Sequence, residues 1–423
     1  MEPMNGRDGL RPNIAVRLDW MVRAAQRLIA IPSPNPPLDT RAVAAEAAAM
    51  VREVAPAATI EVIELAEGVT NVVAVLRGKA PGRRVVFSGH LDTYPLLEDL
   101  PWTVDPLAGE LRDGRLYGRG ACDMKGGIAA SLVAFAALAD TRDQWVGEVV
   151  LALAGDEESM GTLGTRWLLE NRPEVSGDAT LIADVGSPEV IRFGEKGFLW
   201  FEVEAEGKAA HGAHVHRGVN AAERLMGALS AILGLRGMTV ATPPAIAAAI
   251  QRAAFVSERL AGAGESEVLQ SVTVNIGVIE AGTSPNLVPA SARARGDIRL
   301  PIGISCAEAE AYLQLALDAL PGISWRVLRR SEPDYTDPEH EIVQRLAAAV
   351  AEVRGSVPAV NMRVGGSDAR LFRAQQLPTV VYGPTPFGMG GADEYVLVDD
   401  LAEVAAVYAL AAWDLLGIQP NLS

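Results

Sequence analysis

Cysteine is almost absent from this sequence: Cys122 and Cys306 are the only two among 423 residues. Two thiols are too few for a disulfide framework and fit a reducing compartment. Basic residues are also scarce relative to acidic ones, with 37 Lys and Arg against 53 Asp and Glu and a formal net charge of −16. This charge argues against nucleic acid and anionic membranes as partners, because both would repel it.

Long apolar stretches and targeting signals are missing as well. No stretch approaches the ~20 apolar residues that span a bilayer, and the opening segment MEPMNGRDGLRPNIAVRLDW lacks the basic-then-apolar order of a secretory signal. The sequence shows no internal repeat and no low-complexity tract beyond alanine-rich helical stretches. We therefore expect a cytoplasmic protein without a membrane partner.

The length of the chain is sufficient for two domains, each with a sizeable core. Helical spacing from about Ile14 to Ala30 ends at IPSPNPP, and RAVAAEAAAMVREVA and GGIAASLVAFAALAD follow with the same spacing. Between and after these helices lie short apolar runs: TNVVAVLRG, RRVVFSGHLD, GEVVLALAG and ATLIADVG. Apolar strands that alternate with helices predict an α/β sheet covered on both faces.

The pattern changes near Arg192. FLWFEVEAEGK alternates apolar and polar residues, which indicates a strand with one face in water. The predicted elements that follow complete the β-α-β-β-α-β order of a ferredoxin-like fold. We therefore predict a mixed-sheet α/β domain formed by residues 1–191 and 331–423, with an inserted ferredoxin-like α+β domain at 192–330.

Side chains that can bind metals or move protons follow the predicted strands or open the next helix: His90, Asp92, Asp123, Glu157, Glu158 and Asp184. Taken singly, each has an ordinary structural explanation, such as a hydrogen-bonded turn, a helix N-cap or a solvated loop. Together they place an imidazole and several carboxylates at strand ends, where open α/β sheets bind ligands. Zinc and manganese accept this mixture of ligands, and an additional glutamate could act as the general base.

Three of these segments resemble a known family of metallohydrolases. SGHLDTYP, GRGACDMKGG and GDEESMG match, in order and spacing, the signature blocks of the family that includes acetylornithine deacetylase, succinyl-diaminopimelate desuccinylase, aminoacylase and carboxypeptidase G. The resemblance extends from about His90 to Val396. It implies that the α/β domain is catalytic, that the inserted domain mediates a homodimer, and that the cofactor is a divalent zinc, manganese or cobalt ion.

The resemblance also implies roles for single residues. The implied metal ligands are His90, Asp123, Asp184 and Glu158, with Asp123 as the bridge between two ions. Glu157 would be the general base on a metal-bound water, and Asp92 would orient His90 by a carboxylate–histidine contact.

The inserted domain and the segment after it supply further candidates. In GKAAHGAHVHRGVNAAE, His211 would stabilise the developing oxyanion, often in the active site of the partner subunit. In GTSPNLVPASARARGDIRLP, Asn286 and Arg299 would contact a carboxylate-bearing substrate, with a structural ion pair as the alternative for Arg299. Further candidate substrate contacts are His216, Ser367 and Asp368, whereas His214 has no implied role.

One position departs from the family pattern. In YGPTPFGMGGADEYV the family places a histidine four residues before a glutamate, and here Gly390 stands four residues before Glu394. The second metal would therefore lose an imidazole, so we predict one tightly held metal and a weak second site near Glu158. A replacement ligand from elsewhere in the chain is the alternative. The small glycine could also widen the pocket, which makes Gly390 a candidate substrate contact.

The sequence thus predicts a metal-dependent hydrolase of a C–N bond, of amide or N-acyl type, in a small carboxylate-bearing substrate. The first alternative is an aminohydrolase (deaminase) that acts on an aromatic or other unusual amino-acid-like substrate. The second alternative is a catalytically inactive binding paralogue. The intact Glu157–Glu158 pair argues against the inactive paralogue, because such a protein has no chemical use for a base.

Overall fold

The computed structural model describes residues 6–66, 68–97 and 99–417. Its α-helices are α1 (Gly6–Ala15), α2 (Leu18–Ile29), α3 (Arg41–Val54), α4 (Gly126–Asp140), α5 (Thr165–Asn171), α6 (Ala221–Leu233), α7 (Pro244–Ala261), α8 (Glu265–Val268), α9 (Cys306–Asp318), α10 (Glu341–Arg354), α11 (Ala369–Ala374) and α12 (Val398–Leu416). Its strands are β1 (Thr59–Ala66), β2 (Val69–Arg77), β3 (Arg84–His90), β4 (Leu111–Arg112), β5 (Arg115–Tyr117), β6 (Glu148–Ala154), β7 (Ala179–Ile182), β8 (Val190–Glu195), β9 (Gly197–Glu206), β10 (Ala210–His211), β11 (Thr273–Ala281), β12 (Leu287–Val288), β13 (Ser291–Leu300), β14 (Ile323–Ser331), β15 (Asp334–Tyr335), β16 (Ala359–Arg363), β17 (Thr379–Val381) and β18 (Tyr395–Leu397).

The described chain divides into two compact units. The larger unit contains the described residues up to Phe193, Thr336–Asn361 and those from Ser367 onward. The smaller unit contains Gly194–Tyr335 and Met362–Gly366. The sequence places the insertion at 192–330, whereas the smaller unit ends later, because β14 continues to Ser331 and the short β15 follows it.

The larger unit is built on a mixed sheet with the strand order β1-β2-β6-β3-β7-β17-β8. β3 is parallel to both β6 and β7, and β17 is parallel to β7. The β1–β2, β2–β6 and β17–β8 pairs are antiparallel. The parallel strands β3, β6 and β7 are buried along almost their whole length, which is why they read as continuous apolar runs. The predicted mixed α/β fold is confirmed.

The most apolar helix lies in the core of the larger unit. Residues Ala121–Asp140 form a helical segment of 20 residues that could span a membrane by length and composition, and the apolar 18-residue window within it is 100% buried inside the protein. Our expectation that no stretch approaches this length was therefore wrong. The segment packs against α12, α2 and the strands β3 and β6, and burial on all sides demands an apolar surface all round.

The smaller unit contains a four-stranded antiparallel sheet in the order β11-β13-β9-β14. With α6 and α9, these strands follow the chain order β-α-β-β-α-β that the sequence predicts. The apolar core of the unit joins α6 and α9 to one face of the sheet, for example through Phe201, Leu225 and Leu313. The helix α7, inserted between α6 and β11, was not predicted.

Candidate metal centre

Three parallel strands bring three of the four predicted ligands to one edge of the larger unit's sheet. β3 ends at His90, and its neighbours β6 and β7 run in the same direction. The 3-10 turn Glu157–Ser159 follows β6, and Asp184 follows β7. Because carboxyl ends of parallel strands meet at one edge, side chains distant in sequence become neighbours there.

His90 is shared by two groups of potential metal ligands. One ligand atom from each of His90, Asp123 and Asp184 lies within 4.8 Å of the others, and the same holds for His90, Glu157 and Glu158. The His90 Nε2 atom lies 3.1 Å from Asp123 Oδ1. The structure therefore brings together the four predicted ligands and the predicted base, and their individual roles stay predictions.

Asp92 connects the histidine to the glutamate turn. Its carboxylate is buried and accepts hydrogen bonds from the backbone N–H groups of Glu157 (3.1 Å) and Glu158 (3.0 Å) and from Asn35 Nδ2 (2.9 Å). The His90 Nδ1 atom lies 3.0 Å from the Asp92 carbonyl oxygen and 3.5 Å from its Oδ1. Burial opposes ionisation, but the contacts with His90 and the other hydrogen bonds outweigh it and lower the pKa of Asp92. Asp92 thus fixes both the imidazole and the turn.

The donor set fits a divalent cation. Glu158 Oε1 is buried and has no hydrogen-bond partner among the described residues. Burial, reinforced by the nearby Asp123, raises the pKa of Glu158 to about 10. A buried acid of this kind needs a proton or a cation to balance its charge. Imidazole and carboxylate oxygens are ligands that zinc and manganese accept, so these residues can hold such an ion.

Glu157 lies between groups of opposite charge. Burial raises the pKa of Glu157 well above its usual value; Asp368 adds to this, and His90 and Arg370 oppose it. Arg370 Nη1 lies 3.8 Å from Glu157 Oε1 and donates a 2.6 Å hydrogen bond to the carbonyl oxygen of Ser367. A carboxyl group in such surroundings can gain and lose a proton during a reaction.

Ser367 and Asp368 lie where α11 begins. Ser367 Oγ accepts a hydrogen bond from the backbone N–H of Ala369 at 3.2 Å and is buried. Asp368 Oδ2 accepts a 2.6 Å hydrogen bond from Thr165 Oγ1. Both side chains therefore help to hold the chain where α11 begins. Their contact with substrate stays a prediction.

Gly390 has a backbone that suits glycine and a carbonyl group held by a buried ion pair. Its φ is +71°, and a Cβ built there would lie 3.7 Å from the ring of Tyr94. Arg119 Nη2 donates to the Gly390 carbonyl oxygen at 3.0 Å, and Arg119 Nη1 donates to Glu394 Oε2 at 2.6 Å. Glu394 Oε1 also accepts from the backbone N–H of Asp123 at 3.4 Å. Glu394 thus anchors the segment around Gly390 to the turn that contains Asp123. Gly390 itself offers no side-chain ligand.

The histidine-rich turn of the smaller unit is exposed. His211 lies in β10, which pairs with β12, and the backbone N–H of Gly212 donates to the carbonyl oxygen of Asn286 at 2.7 Å. His211 and Asn286 are therefore neighbours within this unit. His211 Nδ1 accepts from the backbone N–H of Ala213 at 3.1 Å, while His216 lies exposed in the turn that follows. Their contacts with substrate stay predictions.

Arg299 makes the structural ion pair that the sequence left open as an alternative. Its Nε donates to Asp297 Oδ2 at 2.9 Å, and its guanidinium lies 5.5 Å from the ring centroid of Phe198. Both partners are about 30% exposed, at 28% and 29% of their side-chain surface. The ion pair orients Arg299, and its role as a carboxylate fork stays a prediction.

Sequence reasoning missed four residues of the larger unit's site: Asn35, Tyr94, Arg119 and Arg370. Tyr94 and Arg119 lie inside the quoted segments SGHLDTYP and GRGACDMKGG, and Arg370 lies two positions after the candidate Asp368, so their position within or beside a motif was the available signal. Asn35 lies in IPSPNPP, whose prolines indicate a helix break and give no signal of a site residue.

Comparison with known proteins agrees with this geometry. The model of the family described as Peptidase family M20/M25/M40 matches residues 86–414. The chain is 31% identical over 364 residues to the succinyl-diaminopimelate desuccinylase of Rhodospirillum centenum, which covers 84% of this chain and 87% of the relative.

Solved structures share the fold at lower identity. The M20 family metallo-carboxypeptidase Sso-CP2 from Sulfolobus solfataricus superposes with a TM-score of 0.77 at 19% identity, covering 94% of this chain and 99% of that chain. The Bacillus subtilis YXEP protein, described as a dinuclear metal binding peptidase from the M20 family, superposes with a TM-score of 0.66 at 16% identity, covering 95% of this chain and 99% of that chain. At these identities the likeness concerns the fold.

Proposed function

This chain belongs to peptidase family M20/M25/M40, and from that premise we propose that it removes an acyl group from a small N-acylated substrate that carries a carboxylate. It is a metal-dependent hydrolase with the mixed α/β fold of the family. Because a relative with 31% identity is a succinyl-diaminopimelate desuccinylase, N-succinyl-diaminopimelate is the first substrate to test.

One observation supports this function above the others. A buried imidazole, His90, is common to two groups of carboxylates, and one of these groups contains Glu157. A base beside a cation site is the arrangement that hydrolysis of an unreactive amide requires. A protein that only binds its ligand has no need of such a base.

The metal ligands would be His90, Asp123, Asp184 and Glu158. A bound zinc, manganese or cobalt ion would supply Lewis acidity, which polarises the carbonyl group and makes water a better nucleophile. We propose that one ion is held tightly by His90, Asp123 and Asp184 and that a second, near Glu158, is weaker. The support for this difference is that both groups of ligands share a single imidazole.

The protein's own groups would then divide the proton transfers and the positioning. Glu157 would take a proton from the attacking water and return it to the leaving nitrogen, so that the amine departs uncharged. Asp92 would hold the imidazole of His90 in one orientation and, through the two N–H groups of the turn, would hold Glu157 in reach. Arg370, 3.8 Å from the Glu157 carboxylate, would favour its ionised form before water attacks.

The remaining predicted residues would recognise the substrate: His211, Asn286, His216, Arg299, Ser367 and Gly390. We propose that the protein is a cytoplasmic homodimer in which His211 serves the active site of the partner subunit. The exposure of the His211 turn supports this role, because an exposed imidazole is free to meet a ligand or a second chain.

A substrate screen tests the proposal. Metal-free protein would be loaded with zinc, manganese or cobalt and incubated with N-succinyl-L,L-diaminopimelate, N-acetyl amino acids and dipeptides. We expect stoichiometric release of a carboxylic acid and a free amine, measured by chromatography, and loss of release after chelation. Release of ammonia instead would indicate an aminohydrolase, and turnover of none of these compounds with any metal would contradict the proposed function.

A further inference from the structure

The ring of Tyr94 forms a wall of the site beside Gly390. A Cβ built on Gly390 would lie 3.7 Å from the Cγ atom of Tyr94 and 3.8 Å from its two Cδ atoms. These are ordinary van der Waals distances, so a side chain at position 390 would point directly at the ring. Tyr94 therefore borders the space that a larger residue at position 390 would enter.

A buried ion pair holds this wall in place. Arg119 Nη2 donates to the carbonyl oxygens of Gly390 (3.0 Å) and Pro95 (3.4 Å), and Pro95 directly follows Tyr94. Arg119 Nη1 donates to Glu394 at 2.6 Å, and both members of the pair are at most 2% exposed. One guanidinium thus fixes the backbone on both sides of the contact, and its charge-assisted hydrogen bonds are shielded from water.

The phenol of Tyr94 lies close enough to the carboxylates of the metal centre for their charges to oppose its ionisation. Burial, followed by the charges of Glu158, Asp123, Glu157 and Asp184, raises the pKa of Tyr94 to about 12. The side chain is nevertheless 38% exposed, so part of it borders open space. Its hydroxyl has no hydrogen-bond partner among the residues that the structure describes.

Other hydroxyl groups near the carboxylates of the metal centre already have hydrogen-bond acceptors. Ser159 Oγ donates to the carbonyl oxygen of Asp156 at 3.2 Å, and Thr165 Oγ1 donates to Asp368 at 2.6 Å. The carboxylates themselves can only accept hydrogen bonds when ionised. Tyr94 is therefore a donor in this group whose hydroxyl is still available for a ligand.

We propose that the Tyr94 hydroxyl contacts the substrate and donates a hydrogen bond to the carbonyl oxygen of the bond that is hydrolysed. The inference rests on the proposed function, because it assigns a partner to an atom of that substrate. An ordinary tyrosine has a pKa of ~10 and is protonated at neutral pH, so the phenol is a donor rather than a base. A donor held near the oxygen that gains negative charge stabilises the transition state more than the bound substrate.

The first test is Tyr94→Phe, which removes one oxygen atom and keeps the ring against Gly390. We expect kcat to fall roughly 10²-fold, the low end of the effect of losing one oxyanion donor, with little change in KM. Metal content by mass spectrometry and the melting temperature should match the wild type. The matched control is Tyr395→Phe in the same unit, whose ring stacks on Phe387 with centroids 4.5 Å apart and should keep wild-type kcat.

A binding measurement gives a second readout. The probe is a phosphinate analogue of N-succinyl-diaminopimelate, in which tetrahedral phosphorus replaces the acyl carbon. By calorimetry on metal-loaded protein, Tyr94→Phe should bind this probe more weakly by the same factor by which kcat/KM falls. Its affinity for the product succinate should stay close to that of the wild type.

The outcomes separate this inference from the proposed function. Wild-type kcat and wild-type phosphinate affinity in Tyr94→Phe, with an active wild type, would overturn the role of Tyr94 and leave the proposed function intact. Loss of metal together with activity in Tyr94→Phe would also overturn it, because the hydroxyl would then act through the metal site. An inactive wild type that also fails to bind the phosphinate would overturn the proposed function, and this inference with it.

Discussion

His90 of the larger unit and the three histidines of the smaller unit are held in opposite ways. In the larger unit His90 is 3% exposed, and its two ring nitrogens lie 3.0 Å from the Asp92 carbonyl oxygen and 3.1 Å from Asp123 Oδ1. In the smaller unit His211, His214 and His216 lie in an exposed turn, with successive ring centroids 6.1 and 5.9 Å apart.

This difference shows where the structure alone defines chemistry. A buried polar group must find its partners within the protein, so the geometry around His90 is settled before any ligand arrives. An exposed imidazole is satisfied by water, and its position carries little information about its eventual contact. We infer that the buried cluster performs the proton transfers and that the exposed turn contributes only when a ligand or a second chain meets it.

The largest expected effect comes from the base within the buried cluster. Glu157→Gln keeps the size of the side chain but cannot accept the proton, so we expect kcat to fall by roughly two to four powers of ten. Metal content should stay close to that of the wild type, because Glu157 is not among the predicted ligands. Steady-state kinetics and metal analysis on the same preparation check both points. Substantial turnover in protein free of wild-type contamination would remove Glu157 from this role.

A smaller effect is expected at Asp92, whose buried carboxylate connects His90 to the turn at Glu157. Asp92→Asn places an amide against groups that donate to it, namely the backbone N–H groups of Glu157 and Glu158 and the side chain of Asn35. We expect about 10- to 100-fold weaker metal binding or activity, as is typical when a residue behind a ligand is changed. The exposed Asp39→Asn is the control and should behave like the wild type.

The same variant has a pH signature. The pKa of Asp92 is lowered in the folded protein, so its contribution to stability is present above its unfolded pKa of ~3.9 and is lost as the pH falls through the folded value. Denaturant unfolding in the absence of metal should therefore show a larger stability difference between wild type and Asp92→Asn at neutral pH than in acid. An equal difference at every pH would contradict this account of Asp92.

Subunit mixing tests whether the exposed turn acts across a dimer. Glu157→Gln and His211→Ala chains, each inactive alone, would be unfolded and refolded together. If His211 serves the partner, one heterodimer site contains both intact residues, and random pairing should restore about a quarter of wild-type activity. No recovery in heterodimers proven by mass spectrometry would show that each chain completes its own site.

The smallest effect is expected at Gly390. Its φ of +71° strains any larger residue, so Gly390→His and Gly390→Ala should each cost roughly 1–2 kcal/mol of stability. The added imidazole should raise the affinity for a second metal in Gly390→His relative to Gly390→Ala. The comparison separates the effect of the new ligand from the effect of the backbone strain.

Titration of the metal-free wild type with metal should restore full activity near one equivalent. Two metals of similar affinity, both needed for activity, would refute the single-site prediction.

The central sheet was predictable because strands that are buried on both faces have continuous apolar runs in the sequence. β3, β6 and β7 appear as apolar runs that lead to candidate metal ligands, and the structure places them side by side and parallel. The opening helices were less predictable. One helix was expected from about Ile14 to Ala30, but α1 ends at Ala15 and α2 begins at Leu18. α1 is oriented by its packing on α12 and by the ion pair of Arg7 with Asp414, contacts that no local pattern encodes.

The sequence by itself determined the α/β architecture and the inserted α+β order, because periodicity is a local property, and its motifs supplied the candidate metal ligands His90, Asp123, Glu158 and Asp184. The tertiary structure alone decided which groups surround Gly390. Arg119 reaches Glu394 across 275 positions, and the Tyr94 ring lies against Gly390 nearly 300 positions away. Side chains so distant along the chain become neighbours only when the sheet and its loops have closed, and so the donor role of Tyr94 could be inferred only from the folded protein.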